Sequence, residues 1–386
     1  MDRRNLFLLS FSQFAAAFSF NFVMTFLPFY IFRISPYSHE GTLLWIGAII
    51  GSTGFMTAMT STFWGSLTHY FSPKMLYLRG IVIHTLMFLL MGFTTNLYVL
   101  LFLRIVQGLT GGISTIGLII VSSSSSQERI PADLGIYQSS MTVGQLLGPP
   151  LGSYAAALLG FKWAFVVSST VLFASALFCY FYVQDVPKLP KGVRSFGLPT
   201  LDRRILVGWG LCFAAQVQIM FLPSVLPNVF EKLNIEHDMA LKLAGTVVML
   251  YTVTTMIGTY FWSWLATRVG LHRTISFLFV AGIILQALLA LSRGIVDFTV
   301  IRMVQTGVIA ATIPLVISLF VVTGPKGSTV GFLNSARFAG NSFGPVIATA
   351  ILAYSNLSVL YLVISATTLI VFVSYKLYFD QSQPAY

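Results

Sequence analysis

Three arginines lie inside long apolar segments of this chain, where an unpaired charge is costly. Arg104 and Arg302 are each followed three positions later by a glutamine, Gln107 and Gln305, and Arg337 lies in another apolar segment. A charge at such depth has to face protein or a water-filled cavity. Guanidinium groups in a cavity attract anions, which predicts an anionic substrate or an amphiphile with an acidic head. In the alternative, each arginine binds backbone carbonyls and serves only to join helices.

Carboxylates, by contrast, are missing from the apolar segments. We place all eleven acidic residues in loops or at segment ends. A group that binds and releases a proton inside a membrane is usually a buried carboxylate, so any proton-linked function of this chain would need another group. His84 is the deep titratable side chain of suitable type, with packing as its alternative role, and Glu128 and Asp133 are further candidates.

The composition requires a membrane. Of 386 residues, 56% are hydrophobic and 9% are charged, whereas a soluble domain averages about 25% charged residues. The net charge of +11 does not indicate nucleic-acid binding, because the basic residues are scattered over short loops. We therefore predict an all-α integral membrane protein with twelve transmembrane helices. The predicted spans are 6–32, 43–68, 75–94, 97–121, 134–159, 163–184, 205–229, 241–267, 273–292, 296–322, 328–354 and 357–379.

The second half of the chain repeats short patterns of the first half in the same order, 196 to 198 positions later. The repeated pairs are Trp64-x-x-Leu67 with Trp262-x-x-Leu265, Arg104-x-x-Gln107 with Arg302-x-x-Gln305, and Gly144-x-x-x-Gly148-Pro149 with Gly340-x-x-x-Gly344-Pro345. Internal repeats in an apolar chain are typical of secondary transporters. Arg337 has Met141 as its counterpart, so it breaks the symmetry and is the strongest candidate for binding.

A polar segment rich in proline and basic residues, 185–204, separates the repeats. It predicts a cytoplasmic linker between two pseudo-symmetric six-helix bundles, 1–184 and 205–386. Basic residues are concentrated on the linker's side of the membrane, which places both termini in the cytoplasm. Arg79 lies near that end of its span, where its side chain can snorkel to the surface.

Two motifs have the spacing of close helix packing. Gly144-Gln-Leu-Leu-Gly148-Pro149-Pro150-Leu-Gly152 places a glycine every four residues next to a helix-bending proline pair. Gly340, Gly344 and Pro345 repeat only its first part. A bent, tightly packed span is a candidate hinge or seal, with a purely structural packing face as the alternative.

With these motifs the chain resembles the major facilitator superfamily, most closely its drug:proton antiporter branch of twelve-span exporters. The glycine–proline motif is similar to the G-x-x-x-G-P-x-x-G signature associated with export. Arg104-Ile-Val-Gln107-Gly108 is similar to the R-x-x-Q-G motif.

A third pattern of the family, G-x-L-a-D-r-x-G-r-k, is matched in part by Gly65, Leu67 and Lys74. His69 stands where the family has the aspartate, and the second copy keeps Arg268 and Gly270 but also lacks the acid. The resemblance implies a cytoplasmic latch at this position. The missing acid predicts that the latch works differently here.

The resemblance also implies a transport path lined by spans one, four, seven and ten. The polar candidates on those spans are Gln13, Asn21, Gln107, Gln216, Gln218 and Gln305, and Asn334 and Asn341 flank Arg337 on span eleven. A buried amide in lipid needs a partner, so each should face the path or another helix.

The sequence therefore predicts a secondary active transporter of a small organic compound, working by alternating access and in the direction of efflux. A facilitator, an importer, a lipid flippase and a non-transporting receptor of the same fold stay open. An enzyme is not indicated, because the chain has no paired acids or His/Asp cluster for metal-assisted chemistry. We expect no cofactor and no metal, a small-molecule substrate and the lipid bilayer as partners, a monomer, and a location in the bacterial inner membrane.

Overall fold

The computed structural model describes residues 3–126, 128–184, 203–323 and 326–380. Within these ranges the chain is helical and contains no strand. The first seven helices are α1 Arg3–Ile34, α2 His39–Ser66, α3 Pro73–Phe93, α4 Leu97–Leu109, α5 Ile113–Ser124, α6 Ile130–Leu159 and α7 Phe161–Tyr182. The remaining eight are α8 Arg203–Met220, α9 Leu222–Lys232, α10 His237–Val269, α11 Leu271–Leu288, α12 Ile295–Ile309, α13 Thr312–Thr323, α14 Lys326–Ala353 and α15 Leu357–Asp380.

Each predicted span coincides with one helix or with two consecutive helices. Among the described residues, nine spans are long and apolar enough to cross a membrane, or ten if the bent pair α8 and α9 is one span. The all-α membrane class is therefore confirmed. The two further spans, on α6 and α14, carry the glycine–proline motifs, and the total of twelve stays a prediction.

Local sequence explains where several helices begin. Ser72 caps α3 by accepting the Met75 N–H at 3.2 Å, and Asn96 caps α4 by accepting the Tyr98 N–H at 2.8 Å. Asp297 accepts the backbone N–H groups of Arg293 and Gly294 at the start of α12, at 2.6 and 2.7 Å. These hydrogen bonds determine the residue at which each helix begins.

Three of the predicted continuous spans are broken in the structure. The α4–α5 break contains Gly111 and Gly112, and Gly112 has a φ of 93°, which favours glycine. Pro223 follows the α8–α9 break and Pro314 follows the α12–α13 break. A proline has no N–H for the carbonyl four residues earlier, so it weakens the preceding turn. These breaks were not predicted from the sequence, although 97–121 lies in one candidate span, 296–322 overlaps another and 205–229 lies in the bent pair.

The chain forms two compact units. The described residues of unit 1 fall within Met1–Pro36, Ala48–Val193 and Glu236–Met249, and those of unit 2 within Tyr37–Gly47, Arg194–Ile235 and Leu250–Tyr386. The predicted division into 1–184, 185–204 and 205–386 stays a prediction, and residues 185–202 of the predicted linker lie outside the described ranges.

Aromatic and aliphatic side chains hold each unit together. In unit 1, Phe14, Phe18, Phe22 and Phe26 follow one another at four-residue spacing along α1, with neighbouring ring centroids 5.5 to 6.1 Å apart. In unit 2, Leu211, Phe279, Ile309 and Val316 belong to one buried cluster. These cores are the rigid support for the polar side chains described next.

Candidate functional site

The repeated tryptophans bind equivalent carbonyls beside the breaks of the fourth and tenth predicted spans. Trp64 Nε1 donates to the Leu109 carbonyl at 2.7 Å, and Trp262 Nε1 donates to the Gly307 carbonyl at 3.1 Å. Both donor–acceptor pairs are separated by 45 positions. An indole N–H thus supplies a partner for a carbonyl near each helix end. The sequence repeat corresponds to a repeated hydrogen bond.

Arg79 binds carbonyls at the break between α4 and α5. Its Nη2 donates to the carbonyls of Thr110 and Gly111 at 2.9 and 3.1 Å, and its guanidinium carbon lies 3.1 Å from the Trp64 ring centroid. The expectation that Arg79 snorkels was therefore wrong, because the glycine-rich break offers it two carbonyls. The equivalent position of unit 2 holds Phe277, whose ring centroid lies 5.3 Å from that of Trp262.

Arg104 is fully buried in unit 1 and is held by acceptors of unequal strength. Its Nη1 donates to Gln107 Oε1 at 2.7 Å, and its Nε donates to the Ile49 carbonyl at 3.3 Å. Its Nη2 contacts the Met24 thioether sulfur at 3.0 Å. Gln107 Nε2 is buried and has no partner among the described residues. The Arg–Gln pair of unit 1 therefore has spare donor capacity.

Arg302 is fully buried in unit 2 and has stronger acceptors. Its Nη1 donates to Gln305 Oε1 at 2.6 Å and to the Gln218 carbonyl at 2.8 Å, and its Nη2 donates to the Ile219 carbonyl at 2.7 Å. Pro223 cannot donate to the Ile219 carbonyl, so Arg302 supplies the missing partner. Arg302 thus stabilises the α8–α9 break.

The amides of unit 2 form a connected network around this arginine. Gln305 Nε2 donates to the side-chain oxygens of Gln218 and Gln286, at 2.8 and 3.1 Å. Gln218 Nε2 donates to Thr368 Oγ1 at 2.9 Å. Gln216 Nε2 donates to Asn341 Oδ1 at 2.6 Å. Gln216, Gln218 and Gln305 are therefore committed to protein contacts in this structure.

In unit 1 the predicted path residues Gln13, Asn21 and His84 are likewise bound. Gln13 donates to Ser114 at 2.9 Å and accepts the Tyr137 hydroxyl at 2.7 Å. Asn21 donates to the Ala17 carbonyl at 2.8 Å, and His84 Nδ1 lies 2.8 Å from the Gly80 carbonyl. Because a carbonyl only accepts, that His84 nitrogen is the donor. The roles proposed for these side chains stay predictions.

The glycines of α6 lie directly on α1. A Cβ added at Gly144 would be 2.6 Å from the Phe14 carbonyl oxygen, and one at Gly148 would be 2.7 Å from that of Phe18. A Cβ at Gly152 would overlap the Phe22 carbonyl. The motif therefore sets a backbone-to-backbone contact in which larger residues do not fit. Pro149 and Pro150 lie inside this helix.

The second copy packs less tightly at Gly344 but not at Gly340. On α14, a Cβ added at Gly340 would be 2.5 Å from Gln216 Cβ, and one at Gly344 would be 3.5 Å from Met220 Cβ. The latter is an ordinary van der Waals distance. Pro345 lies in the same helix. The two Gly-Pro stretches are alike in sequence but differ in how closely they bring helices together.

Arg337 differs from the two buried arginines. It lies on α14 and is exposed, whereas its neighbours Leu333 and Ala336 are fully buried in the core of unit 2. None of the described residues forms a hydrogen bond or an ion pair with its side chain. Asn334, one turn earlier, is half-buried. The asymmetric arginine thus has all its donors available.

Two basic residues of the predicted cytoplasmic latch contact groups in their own units. Lys74 donates to the Tyr180 carbonyl at 2.9 Å, and Arg268 lies 4.2 Å from the Trp264 ring centroid. His69 ends a short 3₁₀ turn, Leu67–His69. Gly270 precedes α11 with a φ of 99°. Among the described residues the salt bridge present is Arg129–Asp133, at 3.6 Å on α6 and the turn before it.

Two glycines of functional interest were missed by the sequence analysis. Gly245 packs on Pro149 and Ser153 within unit 1, and Gly47 packs on Val346 and Thr349 within unit 2, with an added Cβ 3.2 Å from the Val346 Cα. Gly47 and Gly245 are 198 positions apart. The repeat offset could have found this pair, but neither glycine lies in a motif.

Comparison with known proteins identifies the family. The model of the Major Facilitator Superfamily matches residues 9–295 and 207–385, so the chain belongs to this family. The multidrug resistance protein MdtG of Dickeya zeae is 23% identical over 383 residues, covering 95% of this chain and 92% of that protein. These matches confirm the resemblance to the superfamily and to its drug:proton antiporter branch.

Solved structures show the same fold. The nucleoside transporter NupG superposes with a TM-score of 0.78 at 17% identity, covering 98% of this chain and 100% of that chain. The human organic anion transporter MFSD10 superposes with a TM-score of 0.69 at 15% identity, covering 97% and 99%. The family match, together with this fold, makes the chain a multi-pass membrane transporter and not an enzyme.

Proposed function

We propose that this member of the major facilitator superfamily exports a small organic compound that carries an acidic group. The observation that carries the proposal is Arg337, an exposed guanidinium without a partner among the described residues. It is the twelfth residue of α14, which has 28 residues. At about 1.5 Å per residue, it lies roughly 17 Å from the start of that helix. A cation at this depth in an open position is a natural contact for an anion.

The distribution of carboxylates supports an anionic rather than a cationic substrate. Within the described ranges, acidic residues occur in turns or in the first or last turn of a helix: Glu40, Glu128, Asp133, Glu231, Glu236, Asp238, Asp297 and Asp380. A cationic compound would have no counter-charge deep in the spans. An anionic compound has the exposed guanidinium of Arg337 available.

Efflux is favoured by the relatives and by the first Gly-Pro motif. Several curated relatives carry the name multidrug resistance protein. The antiporter-like signature is complete in α6, with Gly152 after the two prolines. Transport would proceed by alternating access, with residues 1–184 rocking against 205–386 around a central site. We place the monomeric protein in the bacterial plasma membrane with both termini in the cytoplasm.

Flux into proteoliposomes tests the proposal. Purified protein is reconstituted, a pH gradient is imposed, and uptake is measured for matched anionic, cationic and neutral aromatic compounds. We expect gradient-driven flux of the anions, lost in Arg337→Ala and partly retained in Arg337→Lys. Arg33→Ala is the control, because Arg33 is an exposed arginine at a helix end.

Two results would contradict the proposal. One is gradient-driven flux of the cationic compounds alone. The other is unchanged anion flux in both Arg337 variants at equal reconstitution. Flux without any dependence on the gradient would identify a facilitator, and flux in the opposite direction would identify an importer.

A further inference from the structure

Two half-buried side chains cover the guanidinium of Arg104. Arg104 itself has no exposed surface. Its guanidinium carbon lies 5.5 Å from the Phe20 ring centroid, and its Nη2 lies 3.0 Å from the Met24 sulfur. Phe20 and Met24 are one helical turn apart on α1, and both are partly exposed. The cover over Arg104 is therefore thin and reaches the protein surface.

The acceptors at this position are weak. A thioether sulfur is a poor hydrogen-bond acceptor, and an aromatic ring offers only its π face. Gln107 Nε2, on the amide that already accepts from Arg104, is buried and unpartnered among the described residues. Buried donors without a full-strength acceptor cost free energy. A carboxylate placed here would supply the acceptors that the protein does not.

The equivalent position in unit 2 shows that this arrangement is not required by the fold. Arg302 is covered by Phe221 and Tyr251, at 4.9 Å from both ring centroids, and both rings are buried. Its Nη2 is bound by the Ile219 carbonyl. The methionine of α8, Met220, packs towards Gly344 instead. In unit 2 both Nη groups of the arginine thus have oxygen acceptors and the side chain is enclosed, although its Nε has no partner among the described residues.

We propose that Met24 is a movable cover over an anion site formed by Arg104 and Gln107. Rotation of the Met24 side chain exposes Nη2 of Arg104, which then binds a carboxylate together with Nε2 of Gln107. Methionine has three rotatable bonds and adapts its shape readily, so it can leave the guanidinium at low cost. The ligand class is an organic carboxylate, and this assignment rests on the proposed transport of compounds with an acidic group. Arg337 is an open cationic position in unit 2, and Arg104 is a covered one in unit 1.

Binding of radiolabelled benzoate to the purified protein in lipid nanodiscs tests this site. Met24→Ala removes the cover and leaves the arginine unchanged. We expect about tenfold tighter benzoate binding, because no side chain then has to move away from Arg104 before benzoate binds. Neutral benzamide should show no such gain. Met220→Ala is the control, because Met220 packs towards Gly344, and it should leave benzoate affinity unchanged. Adding Gln107→Leu or Arg104→Lys to Met24→Ala should reverse the gain.

Three results would overturn the site. They are unchanged benzoate affinity in Met24→Ala, an equal gain in Met220→Ala, and a gain for benzamide as large as that for benzoate. Absence of benzoate binding in every variant also counts against it. Anion flux in proteoliposomes without any effect of Met24→Ala on binding would refute this site alone. Met24-dependent binding without anion flux would refute the proposed transport alone.

Discussion

The Arg–Gln pair of unit 1 and the Arg–Gln pair of unit 2 have the same sequence spacing but different surroundings. Arg302 donates to two backbone carbonyls and to Gln305, and Gln305 is bound by two further amides. Arg104 has one backbone carbonyl at 3.3 Å and a thioether, and Gln107 has an unpartnered nitrogen. The copy in unit 2 thus binds two backbone carbonyls through both Nη groups and leaves only Arg302 Nε unpartnered, whereas the copy in unit 1 has a thioether at Nη2 and leaves Gln107 Nε2 unpartnered among the described residues.

The neighbouring helix explains the difference. Pro223 stands just after the break between α8 and α9 and frees the Ile219 carbonyl, which Arg302 binds. In unit 1 the corresponding helix, α1, runs unbroken from Arg3 to Ile34 although it contains Pro28. Arg104 contacts a side chain of this helix, Met24, instead of its backbone. An arginine is therefore structural where a helix break provides carbonyls.

Removing the two arginines should separate these roles most clearly. We expect Arg302→Met to lower the free energy of unfolding by about 3 kcal/mol or more, because each buried carbonyl left without a partner costs about 1–3 kcal/mol. Arg104→Met should cost about 1–2 kcal/mol by the same reasoning. Apparent melting temperatures from fluorescence-detected size exclusion measure both. Equal losses would show that the two pairs are energetically alike.

The glycines beside the repeated prolines give a second contrast. Gly148→Ala should destabilise the protein by about 1–3 kcal/mol, because the added methyl group overlaps the Phe18 carbonyl. Gly344→Ala is the matched change and should be nearly neutral, since the nearest atom would be 3.5 Å away. The same melting assay applies. A larger loss in Gly344→Ala would contradict the packing described for α14.

Arg79 distinguishes the two helix breaks. Arg79→Phe copies the residue found at the equivalent position of unit 2, and it leaves the Thr110 and Gly111 carbonyls without their donor. We expect a loss of about 1–3 kcal/mol in stability. Phe277→Leu is the comparison in unit 2 and should cost less, because the ring supplies no hydrogen bond there. Full stability of Arg79→Phe would mean that the break needs no side-chain donor.

The glutamines should give the smallest effect. Gln305→Leu removes three hydrogen bonds and should cost about 1–2 kcal/mol. Gln107→Leu loses one bond to Arg104 but also removes a buried unpartnered nitrogen, so its stability should change by less than about 1 kcal/mol. Thermal melting in the presence of lipid checks both. The comparison fails if Gln107→Leu is the more damaging change.

Much of the fold was accessible from the sequence because lipid imposes simple rules. Apolar length and loop charge indicated the spans, and the family confirms the transporter fold. The breaks were less visible, because Gly111 and Pro223 are also tolerated in continuous transmembrane helices. The partners of Arg104 and Arg302 could not be predicted at all. Whether an arginine contacts a carbonyl or a methionine depends on whether the neighbouring helix is broken there, which the motif does not encode.

Trp64 and Arg79 are synthesised before the carbonyls to which they donate. Both residues precede the α4–α5 break in the chain, and Trp262 likewise precedes the carbonyl of Gly307 that it binds. When the ribosome releases each broken span, the side chains that complete its backbone hydrogen bonds have already been made. Each break can therefore close as it enters the bilayer, without waiting for later segments.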